Sequence, residues 1–235
     1  GPNMTLGHAV WTTEAEIEEI ADSGSCICHN CSSNFRLRSG IAPLHAFLEH
    51  GIVVGLGIDE AGINDGRDML QGMRMVRVTH RMPGHAEDAV TPTQIFHMAS
   101  EGSAKTTPFK SEIGVLEVGR AADIVVMDWN GIAEPYLEDG VPVVDALVYR
   151  ARSSGVETVI VQGECIYRDR RFTRIDKDAV IAELKSSLAQ PPGVDDLSRR
   201  KLSQSLRPHA LAFYRDSLSA GQGQPFYYPN ERAGR

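Results

Sequence analysis

Several things are scarce in this chain of 235 residues, and each scarcity closes off a class of function. No run of roughly 18 apolar residues occurs, and no basic start leads into an apolar segment. The sequence therefore offers neither a membrane-spanning helix nor a secretory signal, and it reads as soluble and cytoplasmic. Positive charge is also short: 24 Lys and Arg against 31 Asp and Glu leave a formal charge of −7, which argues against a polyanion-binding surface and so against nucleic acid. The basic clusters Arg199-Arg200-Lys201 and Arg168 to Arg174 read as solvated helix faces or turns. Cysteine is limited to four residues, three of them in Cys26-Ile27-Cys28-His29-Asn30-Cys31 and the other at Cys165. A secreted disulfide framework is excluded by that distribution. A zinc knuckle fits poorly, because no second Cys/His pair follows at finger-like distance. The better reading is a short buried strand from Ser25 to His29 with cysteines acting as small hydrophobes.

What is present is alternation. The run Gly51-Ile52-Val53-Val54-Gly55-Leu56-Gly57-Ile58-Asp59 is a strand apolar on both faces that delivers one carboxylate at its carboxyl end. Thr12 or Thr13 caps a helix from Glu14 to Ala21, with acids in its first turns where the helix dipole favours them, and Gly24 stops it. The strand Ser25 to His29 follows, then a polar loop, a helix from Pro43 to His50, the strand ending at Asp59 and a helix from about Asp68 to His80. This order implies a parallel sheet with polar residues at the strand exits. Thr91-Pro92-Thr93-Gln94 opens a further helix with Pro in its first turn.

Near residue 113 the texture changes. Ile124 to Met127 and Val156 to Tyr167 are β-rich, the latter a hairpin turning at Gln162-Gly163, with one helix near Val143 to Tyr149 between them. The last sixty residues are more polar, with helices expected from about Asp176 to Ala189 and from Asp196 to Asp216. The opening Gly1-Pro2 reads as a protease-cleavage scar, with Met4 a native start.

His8, His29 and Asp59 close three consecutive strands. A (β/α) barrel uses that arrangement for catalysis, since the carboxyl ends of its strands converge on one face. Gly7-His8-Ala9-Val10-Trp11, the stretch from His29-Asn30-Cys31-Ser32-Ser33-Asn34 to Ala42-Pro43, and Gly55-Leu56-Gly57-Ile58-Asp59 resemble the sixth, seventh and eighth barrel strands of the amidohydrolase superfamily. The branch they resemble is the cytosine deaminase, S-adenosylhomocysteine deaminase and triazine chlorohydrolase group. Gly114-Val115-Leu116-Glu117-Val118-Gly119-Arg120-Ala121-Ala122-Asp123 is similar to the family's turn from barrel into small β-sandwich. The resemblance covers about residues 5 to 175. It implies an α/β fold: residues 4–113 as part of a (β/α)8 TIM barrel, strands 6 to 8 with their helices; residues 114–175 as part of a small β-sandwich; and residues 176–235 as carboxyl-terminal helices and tail.

The resemblance also implies roles. Asp59 matches the family's metal-ligand aspartate, which accepts a proton from activated water, and His8 matches the histidine beside the metal. His29 and Asn34 fall in a motif that shapes the substrate pocket. The implied cofactor is one divalent ion, zinc first and iron or manganese next, acting by lowering the pKa of water towards roughly 7. Three positions depart from the pattern. Glu60 stands where Gly is usual, either as a second acid or cation-selecting pocket residue or as a solvent-facing loop acid. Ile63 replaces a Ser and puts nucleoside deamination in doubt. Cys31 replaces a Pro.

The family's metal site also needs a His-x-His and a fifth-strand histidine, and no His-x-His occurs in this sequence. His80 and His85 read as belonging to a surface loop. Asp59 and His8 alone are too few ligands for a stable site. The expectation is thus a subunit or fragment of a hydrolase acting on a carbon–nitrogen bond of a small molecule. Its partner, an amino-terminal half, would supply the remaining ligands, and the pair would form a higher oligomer of the heterodimer. Met4 just before the first strand favours a separately encoded subunit. Alternatives are a hydrolytic dehalogenase and a non-catalytic structural or regulatory subunit.

Overall fold

Capped helices alternating with short apolar strands build two sheets of opposite kind. The computed structural model describes residues 1–60, 66–81 and 90–220. Ile63, His85 and the Met82-Pro83-Gly84 connection therefore lie outside the described residues.

Strands β1 (Thr5–Gly7), β2 (Cys26–His29) and β3 (Val54–Leu56) form a parallel sheet in that order, with Ile27 opposite Leu6 on one side and Val54 on the other. Helix α1 (Glu14–Ser23) joins the first two strands. Thr13 and Glu16 form a reciprocal capping box at its start, and Gly24 closes it in the left-handed region. Between β2 and β3 lie α2 (Cys31–Leu37) and α3 (Leu44–Glu49), and α4 (Met69–Thr79) follows β3 with Asp68 as its cap. Ile27, Val54 and Leu56 pack with Ile17, Leu44, Phe47, Val76 and Ile95 into the main core.

The opposite face of the sheet carries Thr5, Cys26, Cys28 and Gly55, all small. It is small because the chain comes back across it. Helix α5 (Pro92–His97) runs through a π-helical turn, Met98–Gly102, into α6 (Ser103–Lys105). Thr5 Oγ1 donates to the Thr106 carbonyl at 2.9 Å, and Cys26 Sγ lies 3.7 Å from the Lys105 carbonyl. A Cβ on Gly55 would come within 2.8 Å of Ser103 Cα and Thr106 Cγ2. The Ser103 hydroxyl accepts from the Leu56 N–H at 3.1 Å and lies 3.0 Å from the Leu56 carbonyl, so a side chain serves the outward backbone of this edge strand.

The second sheet is antiparallel, in the order β4 (Ile124–Met127), β5 (Val156–Val161), β6 (Glu164–Arg168) and β7 (Arg171–Phe172). The β5–β6 hairpin turns at Gln162 and Gly163, both at positive φ (50° and 80°), which is the backbone of a type I′ turn. Two α-helices separate β4 from β5, α7 (Trp129–Ala133), capped by Asp128, and α8 (Val143–Arg150), followed by a 3-10 turn at Ser153–Gly155. The sequence reading anticipates only the second, because five residues are too few to show a helical period. Val148 of α8 reaches the main core, while Ala146 packs with Ile132 and Ala151 in a small cluster of their own.

The chain divides into two compact units between Thr173 and Arg174. The second holds α9 (Lys177–Leu188), capped by Asp176, and the long α10 (Val194–Ala220). Among the described residues no helix is long and apolar enough to cross a membrane.

Three expectations change. The polar loop after His29 is helix α2, whose first four residues, Cys31, Ser32, Ser33 and Asn34, are buried. Strand β3 stops at Leu56 instead of running on to Asp59, which has a φ of 62° that no strand accommodates. His80, expected in a surface loop, is only 5% exposed.

Candidate functional site

The site forms where β1 and β3 run out. Past Gly7 the backbone turns sharply, with His8 and Ala9 at φ 68° and 45°, while the His8 amide still donates to the Cys28 carbonyl at 2.9 Å. Past Leu56, the Gly57 amide bonds the His29 carbonyl at 3.1 Å and leads to Asp59. A Cβ at Gly57 would collide with Asn30 Oδ1 and Cys28 Sγ, so a larger residue here would have to displace those side chains. These two turns bring His8 Nε2 to 3.5 Å from Asp59 Oδ2, with the side chains 40% and 23% exposed.

Both groups are held. Ser33 Oγ donates to Asp59 Oδ2 at 2.6 Å, and the Glu60 amide donates to Asp59 Oδ1 at 2.8 Å. His8 Nδ1 lies 2.7 Å from Asn34 Oδ1. The Ser33 hydrogen bond, with smaller help from the Glu60 amide and the nearby His8, holds the Asp59 carboxyl below the usual carboxylate range against the opposing effect of desolvation. Asp59 is therefore an ionised carboxylate on a solvent-open face beside an imidazole. Such a pair can accept a proton, and its donor atoms suit a divalent cation.

Of the other residues singled out in the sequence, Asn34 joins this cluster through His8. Glu60 contributes its amide and is itself exposed. His29 does not join it. Its Nε2 lies 3.0 Å from His80 Nε2 on the helix side of the sheet, in register with Leu56. Burial, with a smaller contribution from His8, pushes His29 down to about 4. Burial and the neighbouring His29 and His45 push His80 to about 3. Both rings are thus neutral at neutral pH, and one donates its hydrogen to the other.

With Cys31, these two histidines form a buried group whose donor atoms lie within 4.8 Å of one another. A divalent ion balanced by one thiolate would leave net positive charge in an apolar core, and no solvent reaches it. A hydrolytic metal fits the open Asp59 carboxylate and not this trio. Sequence reasoning missed Ser33 and the His29–His80 pair. For Ser33 the available signal was its place next to Asn34, four residues past the strand end.

The amidohydrolase family model matches residues 1–166. The chain belongs to the amidohydrolase family. A 5′-deoxyadenosine deaminase of Methanosarcina mazei is 32% identical over 187 residues, which are 80% of this chain and 42% of that protein. A 5-methylthioadenosine/S-adenosylhomocysteine deaminase of Desulfovibrio desulfuricans is 35% identical over 186 residues, 79% of this chain and 41% of its own length. Among solved structures, the atrazine chlorohydrolase of Arthrobacter aurescens complexed with zinc superposes with a TM-score of 0.71 at 30% identity, covering 77% of this chain and 40% of that one. This amidohydrolase chain therefore spans about two fifths of the length of the relatives it matches.

Proposed function

We propose that this amidohydrolase chain contributes the Asp59 and His8 side of the active site of a metal-dependent hydrolase that cleaves a carbon–nitrogen bond of an aminated heterocycle. The observation that carries the reading is the pairing of an ionised Asp59 with His8, 3.5 Å apart past the exits of β3 and β1 on an open face. On this reading β1 to β3 are an arc of a barrel whose earlier strands lie in polypeptide outside these residues, an amino-terminal half. That half supplies the remaining metal ligands, since one carboxylate and one imidazole do not complete a four-coordinate site. The antiparallel sheet is then part of the small β-sandwich that accompanies the barrel. The names of the two deaminase relatives support the reaction class, and the zinc-complexed chlorohydrolase supports zinc as the ion.

Asp59 would hold such an ion, which when bound would supply an acidified water as nucleophile at roughly pH 7. Asp59, already ionised, accepts the proton that water gives up and returns it to the departing amine. His8, with Nδ1 turned to Asn34, presents Nε2 toward the reacting side and orients the attacking oxygen or the substrate. A second reading, cleavage of a carbon–halogen bond, is favoured by the similarity to a chlorohydrolase and by Ile63, which stands where the resemblance implies Ser.

Ammonia release from aminated purines and chloride release from a chlorotriazine, measured on the enzyme assembled with its amino-terminal half, distinguish the two. In either case Asp59→Ala should lower kcat/KM by ~10²- to 10⁴-fold, the range for loss of a positioned acid–base group. Unchanged turnover in that variant would sink the catalytic assignment.

A further inference from the structure

His8 and Asp59 stand on strained backbone. Their φ values of 68° and 62° lie in the left-handed region, which costs a residue with a Cβ on the order of 1–2 kcal/mol. His8 directly follows β1 and Asp59 comes three residues after β3, and the backbone bond from the His8 amide to the Cys28 carbonyl does not fix the direction of the ring. Something else must fix each group, and in both cases it is one turn of one helix. Ser33 reaches Asp59 Oδ2 at 2.6 Å, and its chain neighbour Asn34 reaches His8 Nδ1 at 2.7 Å.

These two residues are unusually well placed for the task. Ser33 is 0% and Asn34 1% exposed, so on the helix side of each hydrogen bond no bulk water competes for the side chain. Their helix is tied down on both sides of the pair: the Asn34 amide donates to the Asn30 carbonyl at 3.0 Å, and the Ser39 amide donates to the Asn34 carbonyl at 2.9 Å. Consecutive helical residues point about 100° apart, so adjacent side chains can address two different loops at once, whereas residues at i and i+4 share one direction.

We propose that Ser33 and Asn34 are a positioning pair that sets the relative geometry of His8 and Asp59. Asn34 holds His8 with its hydrogen on Nδ1, which turns the Nε2 lone pair to the Asp59 side. Ser33 engages Oδ2, while the Glu60 amide engages Oδ1, and each carboxylate oxygen keeps a lone pair for the reaction. Polar side chains buried under an open site are thereby explained by what they hold. The inference rests on the reading of His8 and Asp59 as the site groups.

The test for Asn34 uses the full chain labelled with ¹⁵N-histidine and two-bond proton–nitrogen correlations in mildly alkaline buffer. Wild type should show His8 with its proton on Nδ1. Asn34→Leu, of similar size and without an acceptor, should shift His8 to the Nε2-protonated form that the free histidine side chain prefers. Asn34→Asp, which keeps an acceptor oxygen, should retain the wild-type form. The signals of His29 and His80 report in each sample whether the fold is intact. A wild-type His8 protonated on Nε2, or a tautomer indifferent to Asn34→Leu in a folded chain, would overturn the assignment. The wild-type spectrum alone decides if that variant fails to fold.

For Ser33, Ser33→Ala in the assembled enzyme should lower kcat roughly 10- to 100-fold with KM nearly constant, and Ser33→Thr should restore it. Full activity in Ser33→Ala would remove Ser33 from the pair. If instead Asp59→Ala leaves turnover intact, the proposed function fails while the His8 tautomer still reports on the positioning pair.

Discussion

At the scale of single residues, the chain keeps two kinds of histidine in strictly different surroundings. His8 is open to solvent beside a carboxylate, whereas His29 and His80 are shut into the core as a neutral pair. The buried pair makes stability depend on pH. Both folded pKa values, about 4 and about 3, lie below the ordinary 6.5, so between these limits the unfolded chain binds protons that the folded chain refuses. Stability is therefore full above about pH 6.5 and declines as pH falls toward the folded values. Thermal midpoints recorded from neutral pH downward should fall steeply in wild type and less steeply in His80→Gln. Equal slopes would show that the pair does not govern the acid limb. Residue identity made His8 and Asp59 legible in the sequence, since each closes an apolar run. It hid the partner of His29, because the fold and not the spacing brings residues 29 and 80 together.

Elements explain why the site has the shape it does. The strand exits were readable from hydrophobic runs bounded by Gly, and α1 from its Thr and Glu. Helix α2 was not, because Cys31, Ser32, Ser33 and Asn34 look like loop residues, whereas Cys31 packs into the main core and Ser33 and Asn34 turn to Asp59 and His8. Nor could the sequence show that the Ser103–Thr106 segment returns to the small-residue face of the sheet. Gly55 records that return: an added Cβ meets backbone at Ser103 as well as the Thr106 methyl, and backbone cannot rotate away. Gly55→Ala should thus lower unfolding stability by ~1–3 kcal/mol, the usual range for overpacking. Urea titration would measure it, and an unchanged midpoint would mean that this segment is not seated on β3.

For the whole molecule, the two sheets are both present in one unit that spans only about two fifths of its relatives' length. Among the described residues, the open face past the strand exits brings Asp59 and His8 together, while the trio of His29, Cys31 and His80 is enclosed and unsuited to a hydrolytic ion. The proposed shared active site would account for both facts, with this chain giving the proton-accepting carboxylate and an amino-terminal half giving the other ligands. Zinc stoichiometry by native mass spectrometry tests this most directly, on the chain alone, on the chain assembled with that half, and on the assembly carrying Asp59→Ala. The account predicts little retained zinc on the chain alone, one ion per assembled pair, and loss of that ion in Asp59→Ala. A tightly bound zinc on the chain alone, or an ion count indifferent to Asp59→Ala, would contradict it.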